Sequence, residues 1–286
     1  MTSESTAPTA HPLAPDDRAV GPFAALLVLV ALAVLYVGMI VLNVAINRLL
    51  GESGTDDSQT FVIAAWASGP DIVLSILAIA VTWLACRWAG GASWRRQCGL
   101  YMPMAKPAAL WTAGLLVGVG VYAWLLSATR TSLLSEGQII HWSSIPRQAW
   151  PICFPLFALV GPLWEELLAR GFFYTSWTAC WHGRRCPPPP PGPWQPLGAA
   201  AWCTGIIAPA AFALIPQWGE IFHHWPYLIW FVVLRVYLAV CRRYVNSLWL
   251  CYFLRVVAEV VFWGLTVKYL FWDGGDALWL QIRPGD

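Results

Sequence analysis

Two adjacent glutamates and an arginine four residues further on, Glu165, Glu166 and Arg170, interrupt the apolar stretch GPLWEELLARGFFY, Gly161 to Tyr174. A carboxylate can take a proton from water or hold a cation. Two carboxyls in unlike surroundings are the ordinary requirement for paired acid and base work. On a helix, Glu166 and Arg170 share a face at i and i+4 and can pair. Glu165 lies about 100° around the same helix and cannot share Arg170 equally. One glutamate therefore needs another partner, a water or a proton. From spacing alone, a buried strut and an acid–base site are equally good readings, because structural ion pairs also gather charge.

The elements that carry these residues are helices in a membrane. The chain has 286 residues, of which 58% are hydrophobic and only 11% charged. Soluble domains average about a quarter charged, so this balance is that of an integral membrane protein. The 20 tryptophans suit the membrane interface. A net charge of +2 with no basic stripe excludes nucleic acid as a partner. Segments long enough to cross a bilayer run from about Gly21 to Asn47, Phe61 to Cys86, Pro107 to Ser127, Trp150 to Trp181, Leu197 to Trp218, Trp225 to Cys241 and Ser247 to Phe271. A spanning segment must satisfy its own backbone, so each reads as a helix. The second is interrupted by Gly69-Pro70-Asp71, and the fourth contains Pro151, Pro155 and Pro162. A helix can restart at Pro162, since proline suits a first turn.

The expected fold is an all-α integral membrane bundle of seven transmembrane helices. The long fourth segment leaves room for an eighth, short or re-entrant. Arg87, Arg95, Arg96 and Lys106 follow segment two, Arg184 and Arg185 follow segment four, and Arg242 and Arg243 follow segment six. This one-sided clustering puts the even side and the N-terminus in the cytoplasm. Residues 1–19 read as a disordered cytoplasmic tail, 20–272 as a single polytopic domain and 273–286 as an extracytoplasmic tail. The run CPPPPPGPWQP, Cys186 to Pro196, reads as a stiff cytoplasmic spacer.

None of the eight cysteines forms a CxxC pair. Cys180, His182 and Cys186 lack a fourth ligand at suitable spacing, and neither a metal nor a cofactor is expected.

The sequence WEELLARGFFY resembles the first motif of the CPBP family. These are CAAX prenyl protease and bacteriocin-processing proteins, multi-helix intramembrane endopeptidases. The resemblance covers a core of about residues 107–271. It implies glutamate-activated water attacking a peptide bond, with Glu165 as the base, Glu166 as its neighbour and Arg170 fixing their geometry. The implied substrate is a membrane-associated peptide or protein in the lipid bilayer.

The later motifs depart from the family. Where Phe-x-x-x-His is expected, AFALIPQW keeps Phe212 but has Pro216 in place of the histidine. Where His-x-x-x-Asn is expected after a Ser-Leu-Trp element, NSLWLCYFLRVVAEVV has Arg255 and Glu259. His223 and His224 lie shortly after Pro216 and are the remaining imidazole candidates. Arginine can stabilise an oxyanion but stays charged and cannot exchange a proton. Two readings follow. One is an intramembrane endopeptidase with an altered constellation. The other is a non-catalytic relative, a scaffold, chaperone or immunity-type protein, with two positive charges facing up to three negative ones in a buried ion network.

Overall fold

The structure, a computed structural model, describes residues 22–51, 57–91, 94–103, 105–129, 131, 150–176 and 225–271. All of its regular elements are helices: α1 (Pro22–Gly51), α2 (Asp57–Gly90), α3 (Trp94–Gln97), α4 (Ala105–Thr129), a composite helix α5 from Trp150 to Phe173, α6 (Trp225–Val245) and α7 (Leu248–Phe271). The expected segment at 197–218, the proline-rich spacer and both tails lie outside the described residues, as do Phe212, Pro216, His223, His224 and the Cys180–Cys186 cluster. Among the described residues, Val73–Gly90 and Ala105–Thr129 are long and apolar enough to cross a membrane, and Leu26–Gly38 is a shorter apolar window.

One expectation about prolines is corrected and another refined. The helix α2 runs unbroken through Gly69-Pro70-Asp71. Proline removes one hydrogen bond, whereas ending the helix in an apolar surrounding would strand several. An α-helical stretch does begin at Gly161 with Pro162 in its first turn, but no break precedes it. The chain is already helical from Trp150, and Val160 has α-helical φ and ψ of −73° and −45°. Instead α5 alternates: α-helical over Trp150–Pro155, π-helical over Leu156–Val160, α-helical over Gly161–Glu166 and π-helical over Leu167–Phe173. The wider turn relieves the clash between a proline ring and the carbonyl behind it. The first π stretch falls between Pro155 and Pro162. The second carries Arg170 and closes with the Tyr174 N–H on the Ala169 carbonyl.

Two apolar clusters flank α5. Ala24, Val28 and Leu32 of α1, Ala78 and Cys86 of α2, Trp94 and Cys98 pack with Leu168, Phe172 and Phe173 of α5. Leu115 of α4 packs with Leu234, Leu238 and Cys241 of α6 and with Leu250, Cys251, Leu254 and Ala258 of α7. Cys86, Cys98, Cys241 and Cys251 are buried and not in disulfides, as small apolar groups. Tyr122 donates to the Pro226 carbonyl and Tyr237 to the Trp111 carbonyl, which fastens α4 to α6. Polar ties of this kind matter between helices in lipid, where no hydrophobic force draws them together.

The turn between α6 and α7 is two residues long. Asn246 takes the left-handed conformation, φ 55°, and ends α6. The Ser247 hydroxyl accepts the Leu250 N–H at 3.2 Å and caps α7. The same hydroxyl donates to the Tyr101 carbonyl at 2.7 Å, and the Leu248 N–H donates to the Gly99 carbonyl at 2.8 Å. The Ser-Leu-Trp element thus forms the start of α7 and docks it on the α3–α4 connection.

Candidate functional site

Glu165 and Glu166 close the α-helical turn of α5, and Arg170 sits in the π-helical stretch that follows. Their outward packing is set by the opposite face, where Leu168, Phe172 and Phe173 join the first apolar cluster. The charged face meets α6 and α7. Arg170 Nη1 pairs with Glu166 Oε1 at 2.5 Å, the i, i+4 pair expected from the spacing. Glu166 and Arg170 are both fully enclosed. Arg170 Nη2 also donates to the Arg235 carbonyl of α6 at 3.1 Å.

Glu165 turns to other cations. Arg235 Nη2 donates to Glu165 Oε2, and Arg255 Nη2 lies 3.5 Å from the same oxygen. Arg235 Nη1 is 3.6 Å from Glu166 Oε1, so one guanidinium spans both glutamates. Arg255 is held more closely by Glu259, at 2.5 Å one turn along α7, and Trp263 also hydrogen-bonds Glu259. The site residues Glu165, Glu166, Arg170, Arg255 and Glu259 are therefore brought together, on α5 and α7. Phe212, His223 and His224 lie outside the described residues.

Two features were missed in the sequence. Arg235 lies in FVVLRVYLAV, the middle of the sixth segment. A lone arginine in an apolar span is itself a signal of function or pairing. With it the expected balance of two positive charges against three negative becomes three against three. The second is Arg242, read above as a cytoplasmic loop charge. It is fully buried. Its Nε donates to the Arg170 carbonyl at 3.0 Å, Nη1 to Asn246 Oδ1 and Nη2 to the Gln97 carbonyl at 3.4 Å. Its guanidinium also stacks on Tyr174 at 5.1 Å. It binds backbone carbonyls and ties α5, α6 and the α3 turn together.

The site is unevenly enclosed. Glu166 has 1% of its side chain exposed, Arg235 5%, Arg255 8% and Glu259 13%, but Glu165 has 29%. Among the described residues of the cluster, Glu165 is the most exposed. Both of its cation contacts fall on Oε2, and Oε1 has no polar partner among the described residues. Glu166 Oε2 and the Nε atoms of Arg170 and Arg235 are buried without a hydrogen-bond partner among the described residues. No group of three metal-binding side chains occurs among the described residues.

Two helices long and apolar enough to cross a membrane and a buried carboxylate–guanidinium cluster suit a membrane protein with an ionised interior. Residues 147–261 match the family model described as Type II CAAX prenyl endopeptidase Rce1-like, a membrane-integral family to which this stretch of the chain is similar. All the residues of the charged cluster fall inside the matched stretch. The resemblance read from WEELLARGFFY is thereby borne out at the level of the family. No curated protein and no solved structure matches the chain.

Proposed function

We propose that this chain is an intramembrane endopeptidase in which Glu165 activates water against a peptide bond of a membrane-associated peptide or protein. The observation that carries the reading is the division of labour between the glutamates. Glu166 is enclosed and spoken for by Arg170. Glu165 is the accessible member, with one oxygen held and the other without a protein partner among the described residues. A base must reach the proton it abstracts, and Glu165 Oε1 is placed to do so.

The reaction would proceed in two steps. Water attacks the carbonyl carbon as Glu165 takes one of its protons, and the carbonyl π electrons move onto oxygen. A guanidinium is suited to stabilise that oxyanion, and Arg255 occupies the motif position where the resemblance implies a histidine. Glu165 then passes its proton to the leaving amine as the C–N bond breaks. Arg255 takes no part in proton transfer because it stays charged. The proposal includes a single membrane domain over residues 20–272 with seven spans and a cytoplasmic N-terminus.

A second reading has its own observation. Three guanidiniums neutralise three carboxylates, and Arg255 is bound to Glu259 more closely than to Glu165. A closed network of this kind suits a non-catalytic relative acting as a scaffold, chaperone or immunity-type protein.

Glu165→Gln separates the two. Glutamine keeps the shape but cannot accept a proton from water. Cleavage of an internally quenched peptide library carrying a hydrocarbon anchor should fall by at least ~10²-fold, with folded protein still in the membrane. Cleavage by the variant at the wild-type rate would remove Glu165 as the base, whereas no cleavage by folded wild-type protein would favour the scaffold.

A further inference from the structure

Arg235 touches every member of the Glu-Glu-x-x-x-Arg motif from a different helix. Its Nη2 holds Glu165 Oε2, its Nη1 is 3.6 Å from Glu166 Oε1, and its own carbonyl accepts Arg170 Nη2 at 3.1 Å. The side chain is itself fixed. It is 5% exposed and lies over the Phe231 ring, one turn back on α6, at 4.9 Å. A guanidinium is a rigid planar fork, so a fork seated on two carboxylates sets their separation and the tilt of each.

The other cation near Glu165 is less able to do this. Arg255 Nη2 is 2.5 Å from Glu259 and 3.5 Å from Glu165, so its direction is set along α7. Charge-assisted hydrogen bonds weaken steeply beyond ordinary hydrogen-bond length. Orientation of the Glu165 carboxylate therefore falls to Arg235.

We infer that Arg235 is a positioning residue for Glu165: by clamping Oε2 it turns Oε1 toward the accessible side of the site and fixes the oxygen that receives the proton of water. The inference rests on the endopeptidase reading for its catalytic consequence, but the orientation of the carboxylate can be measured without it. A lysine at this position would supply one point of charge and reach one carboxylate at a time.

The test uses full-length protein in lipid vesicles with Arg235→Gln, Arg235→Lys and Glu165→Gln. One arm is isotope-edited infrared spectroscopy of labelled glutamate, in which the Glu165 carboxylate band is isolated by subtracting the Glu165→Gln spectrum. The other is cleavage of the anchored, quenched peptide library. Arg235→Gln should shift the Glu165 band and lower kcat by ~10²-fold, the scale of a misplaced catalytic group, with KM changed by less than ~3-fold. Arg235→Lys should recover part of kcat and give a band distinct from both. Should Arg235→Gln fail to fold, the charge-preserving Arg235→Lys decides by the same two readouts.

An unchanged Glu165 band in the folded variant overturns the inference. So does a loss of activity that follows only the loss of folded protein, with kcat per folded molecule intact. If the wild type cleaves no member of the library, the endopeptidase reading fails. The infrared arm then still decides whether Arg235 orients the carboxylate.

Discussion

Arg170 has no exposed surface, and its guanidinium is held by Glu166 at 2.5 Å and by the Arg235 carbonyl at 3.1 Å. Removing one partner of a buried pair leaves the other charge stranded, which costs about 3–5 kcal/mol. Arg235 Nη1 remains 3.6 Å from Glu166, so Arg170→Leu should fall near the low end of that range. The measurement is the unfolding midpoint in mild detergent. The double variant Arg170→Leu/Glu166→Leu should recover most of the loss, because apolar groups can replace a buried pair at little net cost. A double variant as unstable as the single one would show that Arg170 acts through its backbone contacts instead. The Glu166–Arg170 pair was legible in the sequence because i and i+4 share a face. The spacing also required a separate partner for Glu165. Arg255 was singled out from its motif position, but Arg235 was passed over, because residue spacing does not say which helix lies opposite α5. Arg242 was misread for a related reason. In the doublet Arg242-Arg243 it looks like a loop charge, and two of its partners are backbone carbonyls of distant residues that no side-chain pattern reveals.

At the scale of elements, α5 is held in place by its second half. The π-helical turn places Arg170 so that its carbonyl faces Arg242. Arg242 in turn lies against Gly99, which has φ +71°. A Cβ at Gly99 would lie 2.5 Å from Arg242 Nη1 and 2.7 Å from Cζ. Gly99→Ala therefore meets both a left-handed backbone and a guanidinium held on three sides. The expected loss is about 1–3 kcal/mol, measured by thermal unfolding. In an Arg242→Leu background the added cost of Gly99→Ala should shrink, since neighbours that share a clash are not additive. Equal costs in both backgrounds would assign the whole effect to φ. The presence and order of the described long helices could be read from apolar length. The course of α5 could not: Pro162 read as the point where a helix restarts, whereas the chain is already helical before it and a widened turn lets the helix continue past proline.

For the whole molecule, the described hydrogen bonds gather several chain connections at one end of the bundle. Thr175, near the end of the described α5 segment, donates to the Gln97 carbonyl at 2.9 Å. Ser247 reaches Tyr101, and Leu248 reaches Gly99, so the α6–α7 turn meets the α3–α4 connection. Arg87, Arg95 and Lys106 border that connection, Arg184 and Arg185 follow α5 in the chain, and Arg243 ends α6. With Arg242 engaged inside the protein, the positive-inside argument rests on these remaining charges. Loop arginines and lysines orient a span when they lie close to its ends, and this grouping keeps Arg87, Arg95, Lys106 and Arg243 at the same end. We therefore expect the proline-rich spacer to lie in the cytoplasm. Single cysteines placed between Pro187 and Pro191, in a background whose native cysteines are replaced by alanine, should react with a membrane-impermeant maleimide in inside-out vesicles and be protected in right-side-out ones. The reverse pattern would invert the bundle, place the N-terminus outside and leave the basic end facing away from the cytoplasm.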